Sequence, residues 1–163
     1  MTLVDNIARM IYSRTAHGNV VYTAGNGGSH SQSEHFTAEL MGKFQKVRRP
    51  ITSFCLGSNS SLLTCIANDF GYDEVFSRQV SAMSPGDILF LMSTSGESEN
   101  LLTAAEAAHD LGVTVVSITD PSSHLSVLSD FVLPVIGSTA SKQEHTLTIL
   151  HSICAAVEEL FDE

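Results

Sequence analysis

His35 and Glu39 stand four residues apart, a spacing that on a helix sets both side chains on one face, where they can converge on one ion or one bound group. An imidazole with a carboxylate suits zinc and leaves coordination positions for ligand oxygens. Taken alone, the same spacing also describes an ordinary solvent-facing polar pair. Gln143 and His151 are eight residues apart, about 12 Å of rise and about 80° of rotation on a straight helix. From a regular helix they do not reach one ion. Either Gln143 lies at the irregular start of its segment, or one of the two serves a site on a neighbouring subunit. His151 also reads as a partly buried histidine with a local hydrogen bond, because it follows the apolar Leu147 and Leu150 and precedes Cys154.

Two short segments have the chemistry of anion cradles. Gly25-Asn26-Gly27-Gly28-Ser29 lies between an apolar run and a helical pattern, where glycines permit positive φ and let backbone amides approach an anion at a helix start. Ser93-Thr94-Ser95-Gly96-Glu97-Ser98 has the equivalent place after the most apolar run in the chain. Hydroxyls and helix N-terminal amides there bind a phosphate without lysine or arginine. Serines also cap helices, so one of Ser93, Ser95 and Ser98 is expected to do only that. Glu97 is expected to turn outward, since a carboxylate beside a bound dianion is costly.

The elements that must position these residues follow from hydrophobic periodicity. A helix is predicted over 2–17, opened by Thr2 and Asp5 as a capping box, then a strand at 20–24 and a helix at about 31–41. A strand at 51–56 and a helical stretch at 60–67 follow, so Asn68 and Asp69 fall in a loop or at a helix end, where they can bond sugar hydroxyls or form a turn. Residues 73–83 read as one helix, and Ile88 to Met92 as a strand buried on both faces. The remainder reads as a helix at about 99–111, a strand at 113–118, a short helical piece at 124–128, a strand at 131–136 and a closing helix at about 141–161. Strands alternating with helices, each too apolar to face water, predict an α/β fold: a three-layer, doubly wound parallel sheet of about five strands with helices on both faces. Both serine- and glycine-rich turns then lie at the carboxyl ends of strands, where such sheets bind ligands.

At 163 residues the chain is expected to form one domain, 1–163, that buries roughly two thirds of its extended surface. A formal charge of −10 repels a nucleic-acid backbone on average, so nucleic acid is not an expected partner and any anion must be held locally. Every apolar run is far shorter than the roughly 20 residues of a membrane span. The first residues lack the basic flank and continuous apolar stretch of a secretory signal, which predicts a cytoplasmic protein. Three cysteines without a CxxC pair, Cys55, Cys65 and Cys154, read as reduced thiols.

The two loops, in this order, resemble the SIS (sugar isomerase) domain, a phosphosugar-binding fold. The blocks GNGGSHSQSEHFTAEL, CIANDFGYDEVFSRQV, GDILFLMSTSGES and KQEHTLTILH are similar to those of the sedoheptulose 7-phosphate isomerases, or phosphoheptose isomerases, from about residue 19 to the end. The resemblance implies a metal-assisted aldose–ketose isomerase of bacterial heptose biosynthesis, cytoplasmic, a homotetramer with active sites at subunit interfaces, with one Zn2+ per site. The family's metal and catalytic positions fall on His35, Glu39, Gln143 and His151. Its substrate positions fall on Asn26, Gly27, Gly28, Ser29, Asn68, Asp69, Ser93, Thr94, Ser95 and Ser98, with Glu39 and Gln143 also facing substrate. In an enediol mechanism Glu39 takes the carbon-bound proton, His151 the oxygen-bound one, and the metal the developing charge.

The sequence departs from that family at Ala140-Ser141-Lys142, where arginine and isoleucine are common, and at Glu97, where asparagine is usual. The family also commonly carries an additional N-terminal helix that helps the tetramer assemble, and the chain begins too late to contain it. The rival readings are a non-catalytic module of the same fold that binds a phosphosugar or a replication initiator, and an isomerase of another sugar phosphate. The intact set at His35, Glu39, Gln143 and His151 favours the enzyme. His17, His30, His109, His124 and His145 have no assigned role.

Overall fold

The structure, a computed structural model, describes residues 1–161. Five strands form one parallel sheet in the order β2-β1-β3-β4-β5: β1 (Val21–Gly25), β2 (Ser53–Cys55), β3 (Ile88–Ser93), β4 (Thr114–Thr119) and β5 (Phe131–Pro134). The helices are α1 (Leu3–Ala16), α2 (Gly28–Met41), α3 (Ser60–Phe70), the single turn α4 (Ser77–Val80), α5 (Glu99–Asp110), the single turn α6 (His124–Val127) and α7 (Thr139–Glu159). Strand alternation divides the core into two layers. Ile88, Phe90 and Met92 of β3 pack with Ile7 and Ile11 of α1, Phe36 and Leu40 of α2, and Leu150, Ile153 and Val157 of α7. Leu89 and Leu91 point the other way, onto Ile66 of α3, Val80 of α4, Leu101, Ala104 and Ala105 of α5, and Leu125 of α6. Helices thus cover both faces, and every residue of β3 is buried, as its unbroken apolar run requires.

The capping box at α1 forms: the Asp5 amide donates to the Thr2 hydroxyl (3.1 Å) and the Thr2 amide to the Asp5 carboxylate (2.7 Å). The single helix expected over 73–83 does not. That segment is a 3-10 turn at Tyr72–Glu74 followed by α4. Side chains compete with the helical ladder there: the Ser77 hydroxyl bonds the Glu74 carboxylate (2.6 Å), and the Gln79 amide donates to the Val75 and Leu56 carbonyls. Helix α3 runs further than expected, to Gly71 with its positive φ of 105°, so Asn68 and Asp69 lie in its last turn.

Helix α7 begins at Thr139, where the Ser141 amide donates to the Ser138 hydroxyl at the N-cap. Gln143 therefore sits in regular helix, which removes the irregular-start alternative. Among the described residues, no helix is long and apolar enough to cross a membrane.

Candidate active site

Strands β1 and β3 are neighbours at the centre of the sheet, and from them the chain winds outward in opposite directions, to β2 on one side and to β4 and β5 on the other. This is the switch point at which loops diverge and leave a crevice above the carboxyl ends of the strands. The two loops there are the glycine-rich and serine-rich ones. Gly25 ends β1 so close to α2 that an added Cβ would lie 2.8 Å from the Ser29 backbone, a spacing only glycine allows.

Helices α1, α3, α6 and α7 each receive a side-chain cap, from Thr2, Asn59, Ser123 and Ser138. Helices α2 and α5, which open from the two crevice loops, have none. The Ser29 and His30 amides turn back to the Asn26 carbonyl and the Leu101 amide to that of Ser98, while the amides of Gly28, Glu99 and Asn100 have no acceptor among the described residues, which suits an anion. The serine expected to serve only as a cap is absent: Ser98 is the N-cap residue of α5, and its hydroxyl makes no capping bond. Ser93 instead accepts the Gly96 amide (2.9 Å) and Ser95 the Glu97 amide (3.2 Å). Those bonds shape the turn, and since the two hydroxyls also bond each other at 3.5 Å, one of them keeps a proton to donate outward.

Asn26 ties the two loops together. Its amide pairs reciprocally with that of Asn100 at 2.9 and 3.0 Å, and its oxygen also accepts the Tyr72 hydroxyl at 2.8 Å. Gly27, Gly28 and Ser29 follow at the start of α2. A cavity of about 210 Å3 opens beside this first loop, lined by Asn26, Gly27, His30, Gly57 and Tyr72 among others. Asn68 and Asp69 are exposed on α3, where the Asn68 amide donates to the Asp69 carboxylate (2.9 Å); no hydrogen bond among the described residues joins them to either loop. Neither Asn100 nor Tyr72 was singled out from the sequence. The sequence signal was an asparagine in the first turn after a serine-rich loop; its burial, 2% exposed, is a property of the fold.

Helices α2 and α7 lie side by side and run in the same direction. At one end the Gln143 side chain lies against Gly28, where an added Cβ would come within 2.7 Å of Nε2, and the Gln32 amide donates to the Gln143 carbonyl (2.6 Å). At the other end Glu39 Oε1 is 2.9 Å from His35 Nε2 and 3.3 Å from His151 Nε2. One ligand atom from each of His35, Glu39 and His151 lies within 4.8 Å of the others, a nitrogen and oxygen set that fits three protein ligands around zinc with a position left open.

Gln143 does not join that group. It lies over the start of α2, and His35 is seven residues further along, a rise of about 10 Å. A contribution of Gln143 to an ion at this cluster would have to come from a neighbouring subunit.

The thiol of Cys154, which is buried, donates to Glu39 Oε2 at 3.4 Å. Burial, with the Glu39 charge next, raises its pKa far above the ordinary thiol value, so the thiol stays protonated and serves as a donor. Phe44 packs its ring 5.2 Å from that of His151. The segment carrying Phe44 is held by Glu158, whose carboxylate accepts the amides of Phe44, Gln45 and Lys46 and faces Arg48 Nε at 3.6 Å.

Both departures from the family pattern are paired in the fold. Glu97 turns to His124, bonding its amide (3.0 Å) and its ring Nδ1. Lys142 reaches the serine-rich loop, donating to the Thr94 carbonyl (2.9 Å) and to Asp120 (2.7 Å). The cradle is therefore not wholly free of cations, as charge and composition alone had suggested.

Residues 2–120 match the SIS domain family model. The chain is 37% identical over 168 residues to the phosphoheptose isomerase of Aquifex aeolicus, covering 98% of this chain and 85% of the relative. Among solved structures it is similar to a phosphoheptose isomerase from Francisella tularensis (TM-score 0.91, 31% identity, 96% of this chain and 85% of that one). A phosphoheptose isomerase from Neisseria gonorrhoeae matches at a TM-score of 0.88 and 30% identity, with the same coverage. With its crevice loops at the β1/β3 switch point and its His–Glu–His cluster one helix away, the chain belongs to the SIS-domain family of phosphoheptose isomerases, which are sugar-phosphate isomerases.

Proposed function

We propose that the protein interconverts sedoheptulose 7-phosphate and D-glycero-D-manno-heptose 7-phosphate through an enediol. The carrying observation is that α2 begins at an uncapped, glycine-rich loop and, about 10 to 16 Å along its length, presents His35 and Glu39, with the Glu39 carboxylate between two imidazoles. A phosphate held at one end of a seven-carbon chain leaves the carbonyl end free to extend towards that cluster.

In this reading the amides of Gly27 and Gly28 and the hydroxyls of Ser29, Ser93, Thr94, Ser95 and Ser98 receive the phosphate. Gln143, over Gly28, contacts the sugar chain. Asn26 holds the two loops in register, and Asn68 and Asp69 bond sugar hydroxyls when the substrate spans to α3. Glu39 moves the proton between C1 and C2, held in orientation by Cys154 at Oε2. His151 moves the proton between the two oxygens, with Phe44 packed against its ring. His35, Glu39 and His151 would hold a Zn2+ ion, which when bound supplies electrophilic stabilisation of the developing oxyanion. A carboxylate held tightly by a metal is a weaker base; Glu39 would offer such an ion Oε1, the oxygen 2.9 and 3.3 Å from the two imidazoles.

The same reading takes residues 1–163 as a single SIS domain and the protein as a cytoplasmic homotetramer of heptose biosynthesis. An exposed apolar groove of about 590 Å3 beside the edge strand β2, lined by Tyr22, Phe54, Leu62, Ile66 and Phe70 among others, supports assembly, because a large apolar patch is seldom left to solvent. Sedoheptulose 7-phosphate in deuterated water, followed by NMR, tests the chemistry. Deuterium is expected at C2 of the aldose with the native protein, with a loss on chelation that zinc restores. Glu39→Gln is expected to lose turnover about 100-fold or more while still binding inorganic phosphate; full activity in that variant ends the assignment.

A further inference from the structure

Lys142 has no local reason to stand where it does. It lies four residues after the Ser138 N-cap, at the positive end of the α7 dipole, where a cation is unfavourable and where no acidic residue of the first turn offsets it. Its side chain is nonetheless fixed and only 12% exposed, with the ammonium bound to Asp120 and to the Thr94 carbonyl. The tertiary contact is thus what the residue is placed for.

That contact acts on the phosphate loop. In a trans peptide the carbonyl and amide point in opposite directions, so with the Thr94 carbonyl gripped by Lys142 the Ser95 amide faces away from that contact. On its other side the loop is held by packing: Gly96, at φ +67°, has no room for a Cβ against the Ser123 and Thr119 hydroxyls. Asp120 follows β4 directly, and Thr119 pairs with Ser93 in the sheet register, so the ion pair also spans the ends of β3 and β4. Hydrogen bonds from Lys142 and Ser122 hold Asp120 ionised well below the usual carboxylate range.

We propose that Lys142 is a positioning residue for phosphate recognition: anchored by Asp120, its ammonium fixes the Thr94 carbonyl and so presents the serine-rich loop to the phosphate dianion. This rests on the isomerase reading above, and it assigns to a departure from the family pattern the task of bracing a loop otherwise built from neutral donors.

The test compares native protein with Lys142→Met, Lys142→Arg and Asp120→Asn, reading the Kd for inorganic phosphate and, separately, kcat and KM for the sugar phosphate. Lys142→Met is expected to weaken phosphate binding and raise KM by about tenfold, the scale of one charge-assisted hydrogen bond, with kcat within about threefold. Lys142→Arg should recover most of the loss. Asp120→Asn, which frees the ammonium from its anchor, should fall between them, and it keeps the test decisive if Lys142→Met does not fold. Phosphate binding unchanged in both Lys142→Met and Asp120→Asn, or a fall in kcat at constant KM, overturns the inference. Native protein that turns over sugar phosphate while these variants bind phosphate normally removes only the role of Lys142. Native protein that binds no phosphate removes the functional reading as well.

Discussion

Replacing Glu158 by alanine tests how the end of α2 that carries His35 and Glu39 is held. The carboxylate is 2% exposed and accepts the amides of Phe44 (2.9 Å), Gln45 (2.9 Å) and Lys46 (2.8 Å). Its buried counter-ion, Arg48, donates in turn to the carbonyls of Glu39 (2.7 Å) and Leu40 (2.8 Å). Glu158→Ala leaves a guanidinium without its partner and three amides without an acceptor. Breaking such a buried pair costs about 3–5 kcal/mol, and amides that regain only part of their hydration add to it, so a loss of about 4 kcal/mol is expected.

Against a total stability of about 5–15 kcal/mol that is a large fraction, and for a chain of this length it lowers Tm by roughly 8–16 °C. Urea unfolding followed by circular dichroism measures it, in the presence of a chelator so that metal binding does not mask the change. Glu158→Gln, which keeps one acceptor oxygen, should lose about half as much. Because Phe44 and the end of α2 flank His151 and Glu39, zinc affinity should fall along with stability. A loss below about 1 kcal/mol in Glu158→Ala refutes the reasoning.

The pH dependence has a definite sign. Burial alone would raise the Glu158 pKa, but the bonds from Gln45, Lys46 and Phe44 and the Arg48 charge bring it below its ordinary value near 4.5. Its contribution is therefore complete above that value and is lost as the pH falls through the lowered one.

Two other perturbations address the serine-rich loop. Gly96→Ala combines a positive φ with a clash against Ser123 and Thr119, and is expected to cost about 2–4 kcal/mol in urea unfolding, with phosphate affinity lost in protein that remains folded. The bond to Glu97 raises the His124 pKa above 6.5, while His124 lowers that of Glu97; the pair is charged between the two values and dissolves as the pH rises through the upper one. NMR titration of His124 should give a midpoint above 6.5 that returns towards it in Glu97→Gln.

Much of the fold was legible in the chain because it is encoded locally. The unbroken apolar run of β3 demanded burial on both faces, Thr2 and Asp5 specified a helix start, and the i, i+4 spacing of His35 and Glu39 placed both on one side of α2. Glycines before a helix and hydroxyls after a strand marked the two crevice loops, since positive φ and donor chemistry are properties of single residues. The segment 73–83 was misread for the same reason: its apolar spacing is helical, and only the bonds of Gln79 and Ser77 break it into two turns.

Tertiary structure alone decided which residues meet. Cys154 finds Glu39 across 115 positions, Glu158 binds the segment after α2 across 112 to 114, and Lys142 grips Thr94 across 48. Periodicity states which face of an element is buried, and says nothing about which other element lies against that face. The side-by-side course of α2 and α7 placed His151 beside Glu39 and moved Gln143 to the far end, a separation set by helix rise that no count along the sequence assigns to one site or another.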